Sequence, residues 1–480
     1  MKRWVPIVVG IGCLHRLVFA GARQLWTDEL MQARIIQSAS PGEILSRLRG
    51  GMDLASPLDF LVQRGITFLA GDAPWAMRLH ALLFGTAAIW VFYRLARFLF
   101  GERVALYGTL LFAFFPLACH YSQEARPYSL LLLLSLLSYD VLLRNLQAKK
   151  GAWRGWILVA GVSALLLYTS YLGVLVLISQ FFALALSVLW KLDLGDGRDE
   201  SKDTRESRTV SWRHLLAFAL AVLTALALFY PWMRYTWERP DLAPTSEIAD
   251  PKLILHLIKG LGDNSYPVAG LLLLGAITGV CALRRQRRPG ALTWLLTWFL
   301  IPIPVVLGVE LWAGYFFAVR HVLLATPPLV FLAGLGLSYV GERLTILPRL
   351  PYQVSSPAIA FAALLILGSV WINYVHSHHE PADWLGTSNF LQETIREGDA
   401  LSMPGIYPLL EYYHPELGIR RSDDLDPGPG SLAGGVRRRI VVCYDKLWPD
   451  PCAGFRPAAS GDPAWRQRQL KGFRLFLRGR

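Results

Sequence analysis

The chain has 480 residues, 54% of them hydrophobic and 17% charged, with a mean hydropathy of +0.37. Soluble domains carry about 25% charged residues, so the composition excludes an ordinary soluble protein and fits a polytopic membrane protein. The formal net charge of +13 does not point to nucleic acid. The basic residues gather between apolar segments, as they do in the cytoplasmic loops of membrane proteins, and no basic stripe with interleaved aromatics stands out.

A spanning helix needs about 20 mostly apolar residues. About eleven such segments occur, at roughly 4–22, 76–99, 104–120, 127–143, 155–170, 172–190, 214–232, 267–283, 291–309, 318–340 and 357–375. The start, Met1-Lys2-Arg3 before an apolar run ending in Ala20-Gly21-Ala22, resembles a secretory signal peptide. His15 and Arg16 interrupt that run, so we read it as an uncleaved first span. Both readings put the next residues outside. The first outer loop, 23–75, opens with Trp26-Thr27-Asp28-Glu29, an acidic pair at a membrane boundary where ionisable groups are costly. Within the loop, Ser56 to Leu69 is too short and too charged to span, and is expected to lie in the interface as a helix. Asp53 and Asp59 flank it as solvated or capping carboxylates.

Basic residues orient the spans. With a cytoplasmic N-terminus, the inner loops hold Lys2 and Arg3; Arg94, Arg97 and Arg103; Arg144, Lys149, Lys150 and Arg154; six basic residues from Lys191 to Arg213; Arg284 to Arg288; and Arg343 and Arg349. The short outer loops hold one Arg in 121–126 and none in 310–317. This alternation follows the positive-inside rule and places the tail outside. Loop 191–213 has the composition of a disordered linker. The chain thus reads as a membrane domain, 1–375, and an extracytoplasmic C-terminal domain, 376–480.

The tail reads as a small α/β region. Asn389 to Glu397 is expected as helix, Ala400–Met403 and Arg439–Tyr444 as strands, and Asp426–Gly430 as a loop. Of five cysteines, Cys13, Cys119 and Cys281 fall in or beside apolar segments as packing residues. Cys443 and Cys452 could pair as a disulfide outside the cytoplasm. His376, His378 and His379, with Glu380 and Asp383, contain metal-ligand types, but one His-x-His-His without a second cluster is a weak metal signal. The sequence names no cofactor with certainty, and a divalent cation is left as an open alternative.

The order of short motifs is specific. Asp28-Glu29 after the first span is followed by Ser56-Pro57-Leu58, then Trp75-Ala76-Met77-Arg78-Leu79-His80, then Arg94-Leu95-Ala96-Arg97-Phe98-Leu99-Phe100-Gly101, then Tyr121-Ser122-Gln123-Glu124-Ala125-Arg126-Pro127-Tyr128. This order resembles the bacterial family-39-type glycosyltransferases of the GT-C fold, a group that includes protein O-mannosyltransferases and aminoarabinose transferases. The resemblance covers roughly 20–340 and is strongest in 20–130. It implies an all-α polytopic protein of GT-C type in the bacterial plasma membrane. It also implies transfer of a sugar from a polyprenyl-phosphate donor to a lipid, glycan or protein acceptor on the outer face. Asp28 matches the acidic residue essential in such families. Some members have Lys-Pro-Pro or Lys-Pro-Ile where this chain has Ala55-Ser56-Pro57, so the donor phosphate must be met elsewhere.

The chemistry agrees with that reading. An acceptor hydroxyl attacking an anomeric carbon must lose its proton, and a placed carboxylate serves as general base. The departing phosphate gains negative charge, which fixed cations stabilise. Asp28 is the expected base, with Glu29 supporting it or capping a helix, and Glu124 a second acidic residue of the site or an ion-pair partner. Arg320 (followed by His321), Arg78 and Arg126 sit at the outer ends of spans and are the candidate phosphate contacts, against snorkelling or structural pairing. The rival is a lipid or solute transporter with ionisable groups near mid-span, for which only His15 and Arg16 speak.

Overall fold

The computed structural model describes residues 4–21, 23–53, 55–148, 153–192, 210–237, 253–313, 318–343, 356–378, 383–396, 399–402, 438–444, 465–471 and 473–479. In chain order its helices begin with α1 (Val5–Ala20), α2 (Thr27–Ile36), α3 (Pro41–Arg49), α4 (Leu58–Ala70), α5 (Pro74–Phe100), α6 (Glu102–Ala113), α7 (Pro116–Tyr121), α8 (Tyr128–Leu146), α9 (Trp153–Thr169) and α10 (Gly173–Leu189). They continue with α11 (Trp212–Trp237), α12 (Leu253–Leu261), α13 (Tyr266–Arg285), α14 (Pro289–Leu300), α15 (Pro302–Ala313), a 3-10 helix (Val319–Ala325), α16 (Pro327–Arg343), α17 (Ser356–His378) and α18 (Trp384–Thr394). The chain divides into two units: Met1–Ala20 with Ala39–Val375, and Gly21–Ser38 with His376–Arg480.

The larger unit is a multi-pass membrane bundle. Among the described residues five helices are long and apolar enough to cross a membrane, within Pro74–Phe100, Tyr128–Leu146, Trp212–Tyr235, Tyr266–Arg285 and Pro289–Val309. A further pair, the 3-10 helix and Pro327–Gly341, is bent by 55°. The expected segments 4–22, 155–170, 172–190 and 357–375 fall on shorter apolar helices. Segment 104–120 is not one helix. α6 stops at Ala113, and Pro116, with no N–H and a ring that bars the preceding turn, starts the six-residue α7 instead. The cut between α9 and α10 falls at 170–172, where Gly173 approaches Leu166 so closely that a Cβ would lie 2.8 Å from its carbonyl oxygen.

Helix contact in a bilayer depends on small residues that let backbones approach. The most extensive pair is α13 with α16. Gly275 and Gly279, one turn apart on α13, face Ala333, Leu332 and Gly336 of α16, and Gly334 lies against Gly108 of α6. The sequence supplies this seam as Gly275-Ala276-Ile277-Thr278-Gly279.

The stretch between α2 and α5 carries α3 and α4. Ser40 and Glu43 cap α3 reciprocally, Ser40 Oγ accepting from Glu43 N–H and Glu43 accepting from Ser40 N–H at 2.7 Å. α4 is the expected short helix, and it buries its polar side. Asp59, Gln63 and Thr67 face inward while Phe68 and Leu69 are exposed. Asp59 is therefore not solvated. It is fully buried with its carboxylate 3.4 Å from His80 Nε2 on α5. Gln63 donates to Met77 O at 2.9 Å.

The smaller unit holds α2, α18 and a four-stranded sheet: β1 (Ala400–Ser402), β2 (Arg438–Tyr444), β3 (Trp465–Leu470) and β4 (Phe473–Gly479), in the order β1-β2-β4-β3. β1 runs parallel to β2, and β4 pairs antiparallel with β2 and β3. Ile440, Val441, Val442 and Cys443 are all buried, as expected of a central strand covered on both faces. Polar β3 takes the edge, where Arg residues discourage further pairing. α18 begins earlier than expected because Asp383 is its N-cap, accepting from Gly386 N–H at 2.8 Å. Trp384 then packs on Tyr444 and Phe473. Cys443 is disulfide-bonded. Cys452, His379, Glu380 and loop 426–430 lie outside the described residues.

Two outcomes follow. Gly279→Ala drives a Cβ into the Leu332 carbonyl and should cost about 1–3 kcal/mol by overpacking, lowering the thermal midpoint in detergent. Gly270→Ala, with open space around it, should leave that midpoint unchanged. In the smaller unit Arg438 bonds Asp399 and the Thr394 carbonyl. Burial opposes ionisation of Asp399, but Arg438 and the Arg396 N–H outweigh it and hold its carboxyl below the ordinary value of 3.8. That stabilisation is present above the unfolded pKa and lost as pH falls through the lower folded one. Acid unfolding of Arg438→Gln should lose most of this pH dependence, the Arg396 N–H bond keeping the remainder.

Candidate active site

Asp28 and Glu29 lie in the first turn of α2, in the smaller unit. Carboxylates are favoured there by the helix dipole and the open N–H groups. The two have separated roles. Glu29 is fully buried and its Oε2 accepts from Trp26 N–H at 3.2 Å, which makes it the capping residue. Asp28 is only half-buried. Leu25, Leu30, Ala33, Ile35 and Ile36 are buried and hold the segment in place. Gln24 donates to Asp383 at 3.0 Å and accepts from Leu385 N–H at 3.0 Å, and Thr27 donates to the Tyr444 hydroxyl at 3.4 Å. Burial pushes the Tyr444 phenol up, the Asp28 charge pushes it the same way, and the Thr27 hydrogen bond opposes them. Tyr444 thus faces the Asp28 carboxylate from 416 positions along the chain, and no local pattern in the sequence signals it.

In the larger unit a second constellation forms around His120. Glu124, one turn beyond α7, places Oε1 2.9 Å from His120 Nε2, and Asp263 places Oδ2 3.5 Å from His120 Nδ1. An imidazole with a carboxylate at each nitrogen is favoured as the cation. Asp263 and Asn264 turn the chain between α12 and α13 in left-handed conformations, φ +52 and +68; Asn and Asp tolerate this better than other side chains. The charges of Glu124, Asp263 and Arg320 all act on the Tyr121 hydroxyl. Arg320 opens the 3-10 helix, and its neighbour His321 is buried, its Nδ1 accepting from Ala318 N–H at 3.3 Å. Glu124 and Arg320 are therefore brought to one region. His120, Tyr121 and Asp263 join them unforeseen. For His120 the signal was available, since His120 and Glu124 are one helical turn apart.

The other candidates have structural partners. Arg78 is fully buried and donates to the Ala20 carbonyl at 2.7 Å, closing the C-terminus of α1. Arg126 bonds Asp53 at 3.1 Å, and Asp53 also accepts from Ala55 N–H. Arg16 is a framework group. Its guanidinium donates to Ala113 O at 2.7 Å, Gly12 O at 3.0 Å and Ser122 Oγ at 3.1 Å, where α6 breaks. Ser122 rests on Gly85, where any side chain would strike it. His15 packs between Phe19 and Phe114. Among the described residues, no group of three His, Cys, Asp or Glu is placed to hold a metal ion. Asp383 is occupied as a helix cap.

Residues 55–194 match the family model of dolichyl-phosphate-mannose-protein mannosyltransferases, a stretch that contains Arg78, Glu124 and Arg126. ArnT from Cupriavidus metallidurans, solved with undecaprenyl phosphate, superposes with a TM-score of 0.64 over 99% of this chain and 98% of that one, at 15% identity. The chain has the GT-C fold. The archaeal oligosaccharyltransferase AglB from Archaeoglobus fulgidus aligns with a TM-score of 0.54 at 11% identity, over 85% of this chain and 63% of that one. Arabinofuranosyltransferase AftD from Mycobacteria gives 0.51 at 15% identity, over 100% and 42%. At these identities the likeness is one of fold. No curated protein matches the chain in sequence.

His120→Ala would leave Glu124 and Asp263 without the cation between them. The loss should be about 1–3 kcal/mol, read as a lower thermal midpoint. Glu124→Gln in the same chain should recover part of it. Additive losses in this double-mutant cycle would show that His120 and Glu124 are not coupled.

Proposed function

We propose that this GT-C protein is a membrane glycosyltransferase that moves a hexosyl or pentosyl group from a polyprenyl-phosphate donor to an acceptor hydroxyl. The observation that carries the reading is the end-to-end likeness of fold to ArnT, a protein solved with undecaprenyl phosphate. The match of 55–194 to a mannosyltransferase family model supports it independently. We place the protein in the bacterial plasma membrane with the N-terminus cytoplasmic and residues 376–480 outside, on the strength of the basic-loop pattern.

In this reading Asp28 takes the proton of the acceptor hydroxyl as its oxygen attacks the anomeric carbon. The bond from that carbon to the phosphate oxygen breaks, its electron pair leaves with the phosphate, and the anomeric centre inverts. Thr27 and Tyr444 hold the start of α2, and Glu29 caps it, so the carboxylate is positioned before substrate arrives. Arg320 meets the charge that develops on the phosphate, with His321 fixing the turn that carries it. Arg78 and Arg126 contribute through the framework they hold. Glu124 and Asp263, across His120, keep the region around Tyr121 and Arg320 charged and ordered.

Asp28→Asn removes the base and preserves the shape. Transfer from a polyprenyl-phosphate sugar to an acceptor should fall by about 10²-fold or more, with the thermal midpoint unchanged. Arg320→Ala should lower transfer further than Arg320→Lys does. Wild-type transfer rates in Asp28→Asn would refute the assignment of the base.

A further inference from the structure

At the opposite ends of α5 and α8 from Arg78 and Tyr128, the membrane unit carries a second charged region that the proposed reaction leaves unused. A cavity of about 550 Å³ opens there. Its lining includes Arg94, Arg97 and Arg144, and beside them Val5, Trp90 and Phe98. Asp140, fully buried on α8, anchors the basic group. Arg94 bonds it through Nε at 3.0 Å and also through Nη2, and Arg144 reaches its other oxygen at 2.8 Å. Arg144 also donates to the Arg94 carbonyl at 3.1 Å and stacks over Phe98. Arg97 pairs with Glu102 at 2.8 Å, and the Tyr93 hydroxyl donates to the same carboxylate.

The charges do not balance. Among the described residues here, three guanidinium groups face two carboxylates, Asp140 and Glu102, an excess of one positive charge. The three arginines carry more donors than two carboxylates have lone pairs. Their side chains remain 46%, 45% and 37% exposed, so the excess faces outward. Trp90 on the cavity wall is a large exposed apolar residue, as are Trp4 and Ile7, which flank the lining residues Val5 and Pro6 in sequence, as is normal where a membrane protein meets lipid and where Trp favours the headgroup layer. A free anion would use the arginines alone. An anionic phospholipid uses the arginines and the apolar walls together. The net charge, the buried carboxylate that fixes its geometry and the apolar lining suit one occupant.

We propose that the Arg94–Arg97–Arg144 cavity binds the headgroup of an anionic phospholipid at this face of the membrane, apart from the proposed glycosyl-transfer site. The test uses the purified full-length chain in lipid nanodiscs of phosphatidylcholine, with and without phosphatidylglycerol, and in detergent with inorganic phosphate. Native mass spectrometry should show phosphatidylglycerol retained, and the thermal midpoint should rise with phosphatidylglycerol but not with phosphatidylcholine or phosphate. Arg97→Gln and Trp90→Ala should each weaken the phosphatidylglycerol response several-fold, and Arg97→Lys should keep most of it. Glu102→Gln removes an opposing charge and should strengthen the response, a change that unfolding could not mimic. Equal responses to both lipids, equal responses in Arg97→Gln and wild type, or a phosphate response matching that of phosphatidylglycerol would each overturn the proposal.

Discussion

A helix that stops inside a bilayer leaves carbonyl groups with no water to donate to them, and each such group costs several kcal/mol. α6 stops at Ala113, whose carbonyl accepts from Arg16 at 2.7 Å and from the Cys119 thiol at 3.4 Å. The same guanidinium reaches Gly12 O and Ser122 Oγ. One buried side chain therefore joins α1, the end of α6 and the turn beyond α7. Glu124 lies two residues past Ser122, and His120 two before it. A buried guanidinium is itself costly to place, and its three bonds offset that cost.

The fold was largely legible in the sequence because lipid imposes a coarse rule on composition. Long apolar runs had to be helices, and their sites fall on α5, α8, α11, α13 and the others. Breaks inside runs were less visible. Pro116 was in plain view, but its effect depends on whether a partner such as Arg16 satisfies the freed carbonyl, and that partner lies 97 positions from Ala113. In the tail, β2 showed as a run of apolar residues. β3, with Arg466, Gln467, Arg468 and Gln469, did not, because an edge strand is defined by the neighbour it pairs with.

The candidate site was legible only in part, for a related reason. Asp28, Glu124 and Arg320 stood out as charges at the ends of apolar runs. Asp59 read as a solvated or capping carboxylate, yet it is buried against His80, because α4 turns its polar side inward and Phe68 and Leu69 outward. Asp263 did not stand out, since a short polar turn between helices is where an Asp is expected. Its importance comes from its left-handed backbone and from His120, neither of which composition reports. Charge at a boundary marks a region, whereas the partners decide what each charge does.

α2 immediately follows the first span in sequence, yet it belongs to the unit that the last residues of the chain complete. Its Thr27 is tied to Tyr444 on β2, and β2 is flanked by β4, which ends at Gly479. The Asp28 carboxylate is thus among the first polar groups to be made and among the last to be fixed in place. During synthesis the spans are finished and inserted while this side chain still lacks its support. A chain cut short between α17 and β4 would keep every helix of its membrane unit and its acidic pair, but not the strand that flanks β2, to which Thr27 is tied.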